Sequence, residues 1–474
     1  MTTKKILLNG QWVIGEDSIV EIRSPYNDEL IAKVSHASKS QMEEALEIAS
    51  NAFKEVKELP THLISNALLT IRNYIKDNSE RFTKTLAIES GKPIKIARIE
   101  VDRALHTFEI ASSEAMRING ETFPVDQKSW GENRFAMVNR FPLGVVSAIT
   151  PFNFPLNLVA HKIAPAIASK NTCIQRPATQ TPLSSLLLGE AIMETELPKG
   201  TVNILPCSTK VASSMIEDSR VKLLSFTGSG AVGWDLKKRA NKIPVCLELG
   251  GNAGVVIHSD ADLGYAVTAS ANAGFLYSGQ SCISVQRIYV HEDIADDFTH
   301  RLIEKVKTFV LGDPMNENTD IGPMISKDEA VRAKEWIDEA QNSGAKILTG
   351  GEQNGSVLRP TILVETTSNM KVNSQEIFAP VVTIHRYRDF EDAVAQVDDS
   401  DYGLQAGIFT QDINRIRYAY KNIRVGGLMV NEVPTWRIDH MPYGGVKESG
   451  NTREGIRYAM DSMTEERLMI LNFS

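Results

Sequence analysis

A chain of 474 residues with 42% hydrophobic and 23% charged residues is expected to fold throughout, as two or three domains rather than one. Its formal charge of −8 gives no basic surface, which argues against a nucleic acid partner. The sequence has no apolar run long enough for a membrane helix and no signal-peptide core near its start, so we expect no membrane partner and a cytoplasmic location.

The first part of the chain has the spacing of helices. Ser40 followed by Glu43 fits a capping box, and apolar residues then recur at helical spacing from Met42 to Phe53. We therefore predict a mainly helical region up to about residue 119. The segment 117–141 lacks this rhythm.

Short apolar runs separated by helix-length segments occupy most of the remaining chain. In a first series they span residues 144–149, 172–175, 202–205, 221–226 and 245–249. In a second series, predicted strands at 254–258, 285–290, 361–364 and 381–385 accompany predicted helices at 294–310 and 327–341. This alternation predicts an α/β fold in which helices cover parallel sheets. Residues 467–473 read as one extended strand.

The cysteines are few and far apart. Cys173, Cys207, Cys246 and Cys282 are separated by at least 34 residues, and no His-Glu-x-x-His array is present. No pair has the spacing of a zinc site or a redox motif. We predict neither disulfides nor a bound metal ion, so a cysteine with a chemical role must act alone.

A glycine-rich turn follows the predicted strand at 221–226. Gly228, Gly230 and Gly233 match the G-x-G-x-x-G dinucleotide fingerprint, in which glycines allow close approach of a pyrophosphate to a helix N-terminus. The alternative is a tight glycine turn with no ligand. Glu248 lies 20 residues after Gly228, where that fingerprint places a carboxylate that binds ribose.

Several segments, taken together, resemble the aldehyde dehydrogenase superfamily in their order and spacing, and the resemblance covers nearly the whole chain. They are 150–155 (TPFNFP), 226–233 (FTGSGAVG), 247–252 (LELGGN), 279–282 (GQSC), 376–380 (EIFAP) and the ending 441–450 (MPYGGVKESG). The sequences of these segments are most similar to those of enzymes that act on lactaldehyde, phosphonoacetaldehyde and sulfolactaldehyde. The resemblance implies oxidation of an aldehyde to a carboxylate.

The resemblance also implies a domain organisation. The implied α/β fold has two Rossmann-like parallel-sheet domains and a small β element for oligomerisation. Residues 1–118 and 143–251 would form the NAD(P)-binding domain and 252–430 the catalytic domain. Residues 119–142 and 431–474 would form the oligomerisation element of a homodimer or homotetramer.

Three residues match the family's catalytic positions. Cys282 would attack the aldehyde to give a thiohemiacetal and, after hydride transfer, a thioester, which suits the high nucleophilicity of a thiolate. Asn153 would stabilise the oxyanion with a neutral amide donor. Glu248 would activate the water that hydrolyses the thioester, which replaces the ribose interpretation and favours a free acid over acyl transfer to coenzyme A. The other three cysteines are interpreted as buried apolar filler.

The cofactor positions are matched with two departures. The implied set is Thr150, Pro151, Phe152, Arg176, Thr179, Gly228, Ser229, Gly233, Leu249, Glu376 and Phe378. Ala379 stands where relatives usually have glycine. Arg176 and Thr179 stand where many relatives have lysine and a glutamate that binds ribose. Because a 2′-phosphate would meet no like charge here and Arg176 offers a planar fork, the sequence permits NADP as well as NAD.

The substrate positions suggest a small polar, hydroxylated or anionic aldehyde, including a semialdehyde. Asn157 and His161 lie one and two helical turns after Asn153, although His161 also fits a buried histidine with satisfied hydrogen bonds. Arg437 and His440 precede the 441–450 segment at the tunnel mouth of relatives. The remaining candidates are Arg117 or Arg103 as helpers of an anion clamp, and Ser281, where some anion-specific relatives have arginine.

Two other function classes stay open at this point. A conventional alcohol or hydroxy-acid dehydrogenase would use the glycine fingerprint without covalent catalysis, and its activity would survive loss of Cys282. A catalytically inactive scaffold would keep the fold for binding alone. The combination of Asn153, Glu248 and Cys282 argues against the scaffold.

Overall fold

The computed structural model describes residues 2–240 and 242–473, in which helices and strands alternate over most of the length. The strands are β1 (Ile6–Leu8), β2 (Gln11–Val13), β3 (Ile19–Arg23), β4 (Leu30–Ser35), β5 (Glu121–Phe123), β6 (Arg134–Pro142), β7 (Val145–Ile149), β8 (Thr172–Arg176), β9 (Val202–Ile204), β10 (Val221–Thr227), β11 (Val245–Glu248), β12 (Ala253–Ile257), β13 (Val285–His291), β14 (Lys346–Thr349), β15 (Gln353–Asn354), β16 (Val357–Leu358), β17 (Thr361–Val364), β18 (Val381–Tyr387), β19 (Tyr402–Gly403), β20 (Gln405–Phe409), β21 (Gly427–Val430), β22 (Val446–Lys447) and β23 (Thr464–Asn472).

The α-helices are α1 (Lys39–Val56), α2 (Thr61–Asp77), α3 (Ser79–Ser90), α4 (Ile94–Ala115), α5 (Asn157–Ala168), α6 (Leu183–Met193), α7 (Thr209–Ala212), α8 (Ser214–Glu217), α9 (Gly230–Arg239), α10 (Leu263–Phe275), α11 (Glu292–Lys307), α12 (Lys327–Asn342), α13 (Lys371–Ser374), α14 (Phe390–Asp398), α15 (Ile413–Asn422) and α16 (Ile456–Ser462). Over the described ranges, no helix is long and apolar enough to cross a membrane.

The first sheet has the strand order β11-β10-β7-β8-β9-β1-β2. Its first five strands are parallel, and β1 and β2 extend it as an antiparallel edge. The chain runs from β7 outward through β8 and β9, and then returns to the other side of β7 as β10. Ligands of open parallel sheets bind outside the carboxyl ends of the strands at such a reversal. The segments 150–155 and 228–233 begin at these strand ends.

The second sheet has the order β14-β17-β18-β13-β12-β20-β21 and is parallel except for β14. All nine strands predicted from apolar runs are present in the two sheets, within two residues of their expected ends. This confirms the α/β fold with two parallel sheets. The sequence analysis missed five strands of these sheets. Strands β1, β2 and β14 have only three or four residues, and Gly407 and Gly427 lower the strand propensity of β20 and β21.

The predicted capping box at the start of α1 is wrong by two residues. Ser38 is the N-cap, its hydroxyl accepts from the Gln41 amide at 3.2 Å, and the Gln41 side chain accepts from the Ser38 amide at 3.1 Å. Ser40 lies inside the helix. Both residue pairs fit the capping pattern, and the box that forms is the one whose glutamine is buried and also donates to the Ile14 carbonyl.

A third, smaller sheet has the order β23-β6-β5. Strand β23 pairs with β6 in antiparallel register over nine residues, from Thr464 opposite Pro142 to Asn472 opposite Arg134. The predicted terminal strand is thus present and begins three residues earlier than expected. This sheet joins the end of the chain to the segment 117–141, which lacked helical spacing.

Candidate active site

A cavity of about 620 Å³ lies at the carboxyl ends of β7, β10 and β11 and continues to the loop before β13. Most of the residues predicted for catalysis and cofactor binding line it. They are Pro151, Phe152, Asn153, Gly228, Ser229, Glu248, Leu249, Cys282, Glu376 and Phe378, joined by Asn157, Ser281 and Arg437 of the predicted substrate set.

The loop that carries Cys282 has a constrained backbone. Tyr277, Ser278 and Gly279 all have positive φ, at 54°, 54° and 66°. A Cβ atom on Gly279 would lie 2.1 Å from the Ala379 carbonyl oxygen, so this position requires glycine. Left-handed conformations at non-glycine residues cost on the order of 1–3 kcal/mol each and persist only where surrounding contacts enforce them. The packing of this loop therefore fixes where the thiol lies.

Cys282 is partly buried, and its Sγ lies 3.1 Å from the Tyr443 hydroxyl. Burial raises the pKa of the thiol to about 12, while the hydrogen bond from Tyr443 lowers it. The thiol is therefore protonated at neutral pH in the absence of further stabilisation of the thiolate. Cys173 and Cys207 are fully buried, as the filler interpretation expects.

Asn153 is attached to the same loop. Its Nδ2 donates to the Gln280 carbonyl at 3.1 Å, across 127 residues of sequence, and its Oδ1 has no hydrogen-bond partner in the described parts of the chain. One amide hydrogen is thus used to orient the side chain toward the Cys282 loop. The second amide hydrogen remains for an oxygen atom bound beside the sulfur.

Glu248 ends β11 and is 3% exposed, with neither carboxyl oxygen hydrogen-bonded by the described residues. A Cβ on Gly444 would lie 2.5 Å from Glu248 Oε1, so the glycine provides the space that the carboxyl group occupies. Burial, followed by the nearby charge of Glu454, raises the pKa of Glu248 well above its ordinary value. A carboxyl group shifted in this direction suits general-base work near neutral pH.

Glu454 forms a buried charge cluster behind Glu248. Lys162 donates to Glu454 Oε1 at 3.1 Å, and Arg437 Nη2 lies 3.5 Å from Oε2. Burial raises the pKa of Glu454, but Lys162, His161 and Arg437 outweigh that effect and leave it below the ordinary value. Two neighbouring carboxyl groups thus have opposite shifts, with Glu454 held ionised and Glu248 ready to take up a proton.

Asp439 organises the polar end of the cavity. Its Oδ1 accepts from Arg103 at 2.7 Å and from Asn157 at 3.1 Å, and it pairs with His161 Nε2 at 2.8 Å. These contacts hold the pKa of Asp439 below its ordinary value, although burial alone would raise it. His161 is buried behind the cavity wall, so the alternative of a buried, hydrogen-bonded histidine is the one that the structure favours. Arg437 reaches the cavity with its guanidinium carbon 3.6 Å from the centre of the Tyr443 ring.

The start of α9 provides a cradle for an anionic group. Cβ atoms on Gly228 and Gly233 would lie 2.6 Å from the Phe226 ring and 2.4 Å from Leu249 Cδ2, whereas Gly230 has no neighbour closer than 3.9 Å. The free backbone amides of this ten-residue helix are therefore open to the cavity. Gly233 supports the turn by packing and does not itself line the cavity.

Glu376 and Phe378 form the opposite wall. Glu376 Oε1 accepts from the Gly251 amide at 2.9 Å, and burial raises the pKa of its carboxyl group to about 7. Phe378 has φ 49° and packs edge-on against Phe152 at 5.9 Å. A carboxyl group and two aromatic rings beside open helix amides are the donor and acceptor set that a dinucleotide requires.

The sequence profile of the aldehyde dehydrogenase family matches residues 12–469. The chain is 42% identical over 468 residues to a 3-sulfolactaldehyde dehydrogenase of Priestia aryabhattai, covering 98% of each chain. It is 39% identical over 472 residues to a lactaldehyde dehydrogenase of Methanococcus aeolicus, covering 98% of this chain and 100% of the relative.

This chain belongs to the aldehyde dehydrogenase family. Its members are oxidoreductases that act on aldehydes, which confirms the enzyme class expected from the sequence. Two solved structures of the family are similar over nearly the whole chain. Aldehyde dehydrogenase 21 from Physcomitrella patens, in complex with its reaction product succinate, has a TM-score of 0.97 at 41% identity, covering 99% of this chain and 98% of its own. Glyceraldehyde-3-phosphate dehydrogenase from Methanocaldococcus jannaschii, complexed with NADP, has a TM-score of 0.92 at 37% identity, covering 96% and 100%.

Besides Gly233, three predicted cofactor residues of this aldehyde dehydrogenase lie outside the cavity wall. Thr150 is buried, and its hydroxyl accepts from Gln175 at 3.0 Å, so it supports the strand end. Arg176 donates through Nε to the Cys207 carbonyl at 3.2 Å, and the described residues place no carboxylate within ion-pair distance of its guanidinium. Thr179 is half-buried in the loop after β8.

Two predicted substrate residues are not at the site. Arg117 has a side chain that is 70% exposed, lies 3.6 Å from Glu114, and lines a separate surface pocket beside β6 with Arg140 and Arg457. His440 is exposed and packs against His106. Arg117 follows the end of α4 on the side of the small sheet, and Asp439, rather than His440, points inward. Their assignment to the substrate site is therefore corrected.

The sequence analysis missed four polar residues that complete the site: Tyr443, Glu454, Asp439 and Lys162. Tyr443 lies in the quoted segment 441–450, and Asp439 lies between two residues that were singled out. The side-chain hydrogen bonds that join them to the site span 161 to 336 residues of sequence, so no local spacing pattern could have paired them. Over the described ranges, no cluster of side chains has a metal-binding arrangement.

Proposed function

We propose that this enzyme oxidises a small anionic aldehyde to its carboxylate through a covalent intermediate on Cys282. The observation that supports this most is the single cavity that brings Cys282, Asn153 and Glu248 together with a buried arginine, Arg437. The catalytic roles come from the family pattern, and the geometry is consistent with each of them.

In the first step, the Cys282 thiolate attacks the aldehyde carbon. The carbonyl oxygen gains negative charge, which the free hydrogen of the Asn153 amide and the Cys282 backbone amide would stabilise. A neutral amide suits this role because the charge must collapse again when hydride leaves. The fixed backbone at 277–279 keeps the sulfur aligned with the Asn153 amide.

A nicotinamide cofactor would supply the hydride acceptor. The residues that would hold it are Gly228 and Ser229 at the start of α9, with Glu376 and Phe378 opposite. The open position beside Gly230 and the unpartnered, buried Thr227 hydroxyl fit a group that brings hydrogen-bond donors and acceptors of its own.

Hydrolysis of the thioester falls to Glu248. It takes a proton from water, the resulting hydroxide forms a bond to the acyl carbon, and the carbon–sulfur bond breaks to release the acid and the Cys282 thiolate. The ion pair with Lys162 keeps Glu454 negatively charged. Because this charge lies close to Glu248, it raises the affinity of Glu248 for a proton.

Arg437 is the group best placed to hold an anionic tail. Glu454 is its ion-pair partner at 3.5 Å, and that carboxylate already accepts from Lys162. Arg103 also lines the cavity, but Asp439 neutralises it through two hydrogen bonds. A carboxylate, sulfonate or phosphonate tail would therefore meet one weakly paired guanidinium fork.

Three similar proteins differ in the compounds connected with them. The 3-sulfolactaldehyde dehydrogenase is named for an anionic aldehyde, and aldehyde dehydrogenase 21 is in complex with the anionic product succinate, whereas lactaldehyde is neutral. Asn157, which lines the cavity and can bind a hydroxyl group, suits a hydroxylated aldehyde of either charge. We favour the anionic class because the buried Arg437 Nε has no hydrogen-bond partner among the described residues, and an anionic tail would supply one.

For the cofactor, we propose that NADP is accepted. Arg176 has no carboxylate partner in the described ranges, and Thr179 is uncharged, so it would not repel a 2′-phosphate. The family neighbour from Methanocaldococcus jannaschii is complexed with NADP, which is consistent with this reading.

The test is formation of reduced cofactor with NAD and with NADP, across small aldehydes with and without carboxylate, sulfonate or phosphonate tails. Cys282→Ala should abolish turnover of every substrate. Turnover that survives this exchange would point to a conventional dehydrogenase, and absence of turnover across the whole panel would point to an inactive scaffold.

A further inference from the structure

Tyr443 places a hydroxyl beside the proposed nucleophile. Its Oη lies 3.1 Å from Cys282 Sγ, and the side chain is 3% exposed. Its backbone exchanges hydrogen bonds with Glu454 in both directions, so β-bridge pairing fixes the ring relative to the site. Among the described residues, Tyr443 is the hydrogen-bond partner that the sulfur has.

The direction of this hydrogen bond follows from the strength of the two donors. A phenol O–H is a better donor than a thiol S–H, and burial raises the pKa of Tyr443, so the phenol keeps its proton at neutral pH and donates to the sulfur. The charged groups that face the sulfur are Glu376 and Glu248, which disfavour the thiolate, and Arg437, which favours it. A donated hydrogen bond to an anionic acceptor is roughly twice as strong as one to a neutral acceptor. The hydroxyl therefore favours the thiolate over the thiol.

Arg437 acts on the same ring. Its guanidinium carbon lies 3.6 Å from the ring centre, within the range of a strong cation–π contact in a buried setting. The cation draws electron density from the ring, which makes the phenolic hydrogen a better donor. Weak contacts to Glu454 at 3.5 Å and His161 at 3.4 Å hold the guanidinium in that position.

We propose that Tyr443 is a catalytic residue that donates a hydrogen bond to the Cys282 sulfur, and that Arg437 is its positioning residue. This rests on the proposed role of Cys282. The thiol gives its proton to water, Sγ then forms a bond to the aldehyde carbon, and the carbonyl π electrons move to oxygen. Tyr443 keeps its own proton throughout. Its task is distinct from that of Asn153, which serves the oxygen.

Alkylation of the protein by iodoacetamide, without aldehyde or cofactor, tests the proposal over a range of pH. The variants are Tyr443→Phe, which removes one oxygen atom, and Tyr420→Phe, which makes the same change at an exposed position. We expect Tyr443→Phe to shift the rate profile upward by about one pH unit, with alkylation roughly tenfold slower at neutral pH. Tyr420→Phe should follow the parent profile.

Mass spectrometry identifies the modified cysteine. Cys246 and Cys282 are both partly buried, so the rate profile is followed on the peptide that contains Cys282. A profile for Tyr443→Phe that overlays the parent, or that shifts to lower pH, overturns the proposal. Arg437→Gln, measured in the same way, should shift the rate profile to higher pH by a smaller amount. If it does not shift the profile, Arg437 is not a positioning residue of Tyr443. Loss of turnover in Cys282→Ala with an unchanged Tyr443→Phe profile would refute this inference while leaving the proposed function standing.

Discussion

At the scale of single residues, two buried carboxyl groups with opposite pKa shifts share one wall of the cavity. Glu248 and Glu454 differ because Lys162 and Arg437 are close to Glu454, while Glu248 is hydrogen-bonded by none of the described side chains. Sequence motifs identified Glu248 and Cys282 but gave no sign of Glu454 or Asp439. The protonation behaviour of the site depends on contacts between distant segments, which a sequence pattern does not display.

The pH dependence of deacylation follows from this arrangement. Glu248 must be deprotonated to act, and its pKa is raised, so kcat should fall as pH falls through a value well above 4.5. In Glu454→Gln the neighbouring negative charge is removed, and we expect the acid limb to move to lower pH. Measurement of kcat against pH for both proteins checks this. An acid limb that stays in place would show that Glu454 does not act on Glu248.

The anion clamp makes a separate prediction. Arg437→Gln should raise KM for aldehydes with charged tails roughly ten- to a hundredfold, because a charge-assisted hydrogen bond is worth about 1.5–3 kcal/mol. KM for neutral aldehydes should change much less. Arg457→Gln, at an exposed position of α16, is the matched control. An equal rise in KM for charged and neutral aldehydes would refute the proposal that Arg437 binds the anionic tail.

At the scale of elements, apolar runs located nine strands of the two large sheets, because buried parallel strands are continuous apolar segments. Two kinds of feature were not predicted. The first is the short strands β1, β2 and β14 and the glycine-containing strands β20 and β21. The second is the loop at 277–279, whose conformation is enforced by its packing. Because this loop holds Cys282 in place, sequence patterns could not predict the geometry of the nucleophile.

This loop gives a stability prediction with an internal control. Gly279→Ala would place a Cβ 2.1 Å from a backbone oxygen, whereas Gly355, with φ 59°, has nothing within 4 Å. Gly355→Ala should therefore cost only about 1 kcal/mol of unfolding free energy for its left-handed backbone. Gly279→Ala should cost clearly more and also reduce kcat. Urea denaturation measures the unfolding free energy of both variants. An equal loss of unfolding free energy in the two would contradict the argument that packing fixes the loop at 277–279.

At the scale of the whole molecule, the small sheet is the most unusual surface. Strand β23 is an edge strand in which the consecutive residues Leu468, Met469, Ile470 and Leu471 are all exposed. Alternate residues of a strand point to opposite sides, so β23 exposes apolar side chains on both of its faces. Long apolar edges of this kind are normally covered by a partner.

We therefore expect a homodimer or homotetramer assembled through β23. A double variant, Leu468→Asp with Ile470→Asp, should shift the mass in light scattering to a smaller species. Ile413→Asp, at an exposed apolar residue of α15 far from this sheet, should leave the mass unchanged. A parent protein that is already monomeric, or a double variant of unchanged mass, would refute this assembly.

The central claim is the division of work between Cys282 and Glu248, and one measurement tests it most directly. Glu248→Gln, mixed with aldehyde and cofactor and then quenched, is analysed by mass spectrometry of its peptides. We expect a stoichiometric burst of reduced cofactor, followed by a stall, with an acyl group on the peptide that contains Cys282. Sustained turnover without an adduct, or an adduct at another residue, would contradict the account.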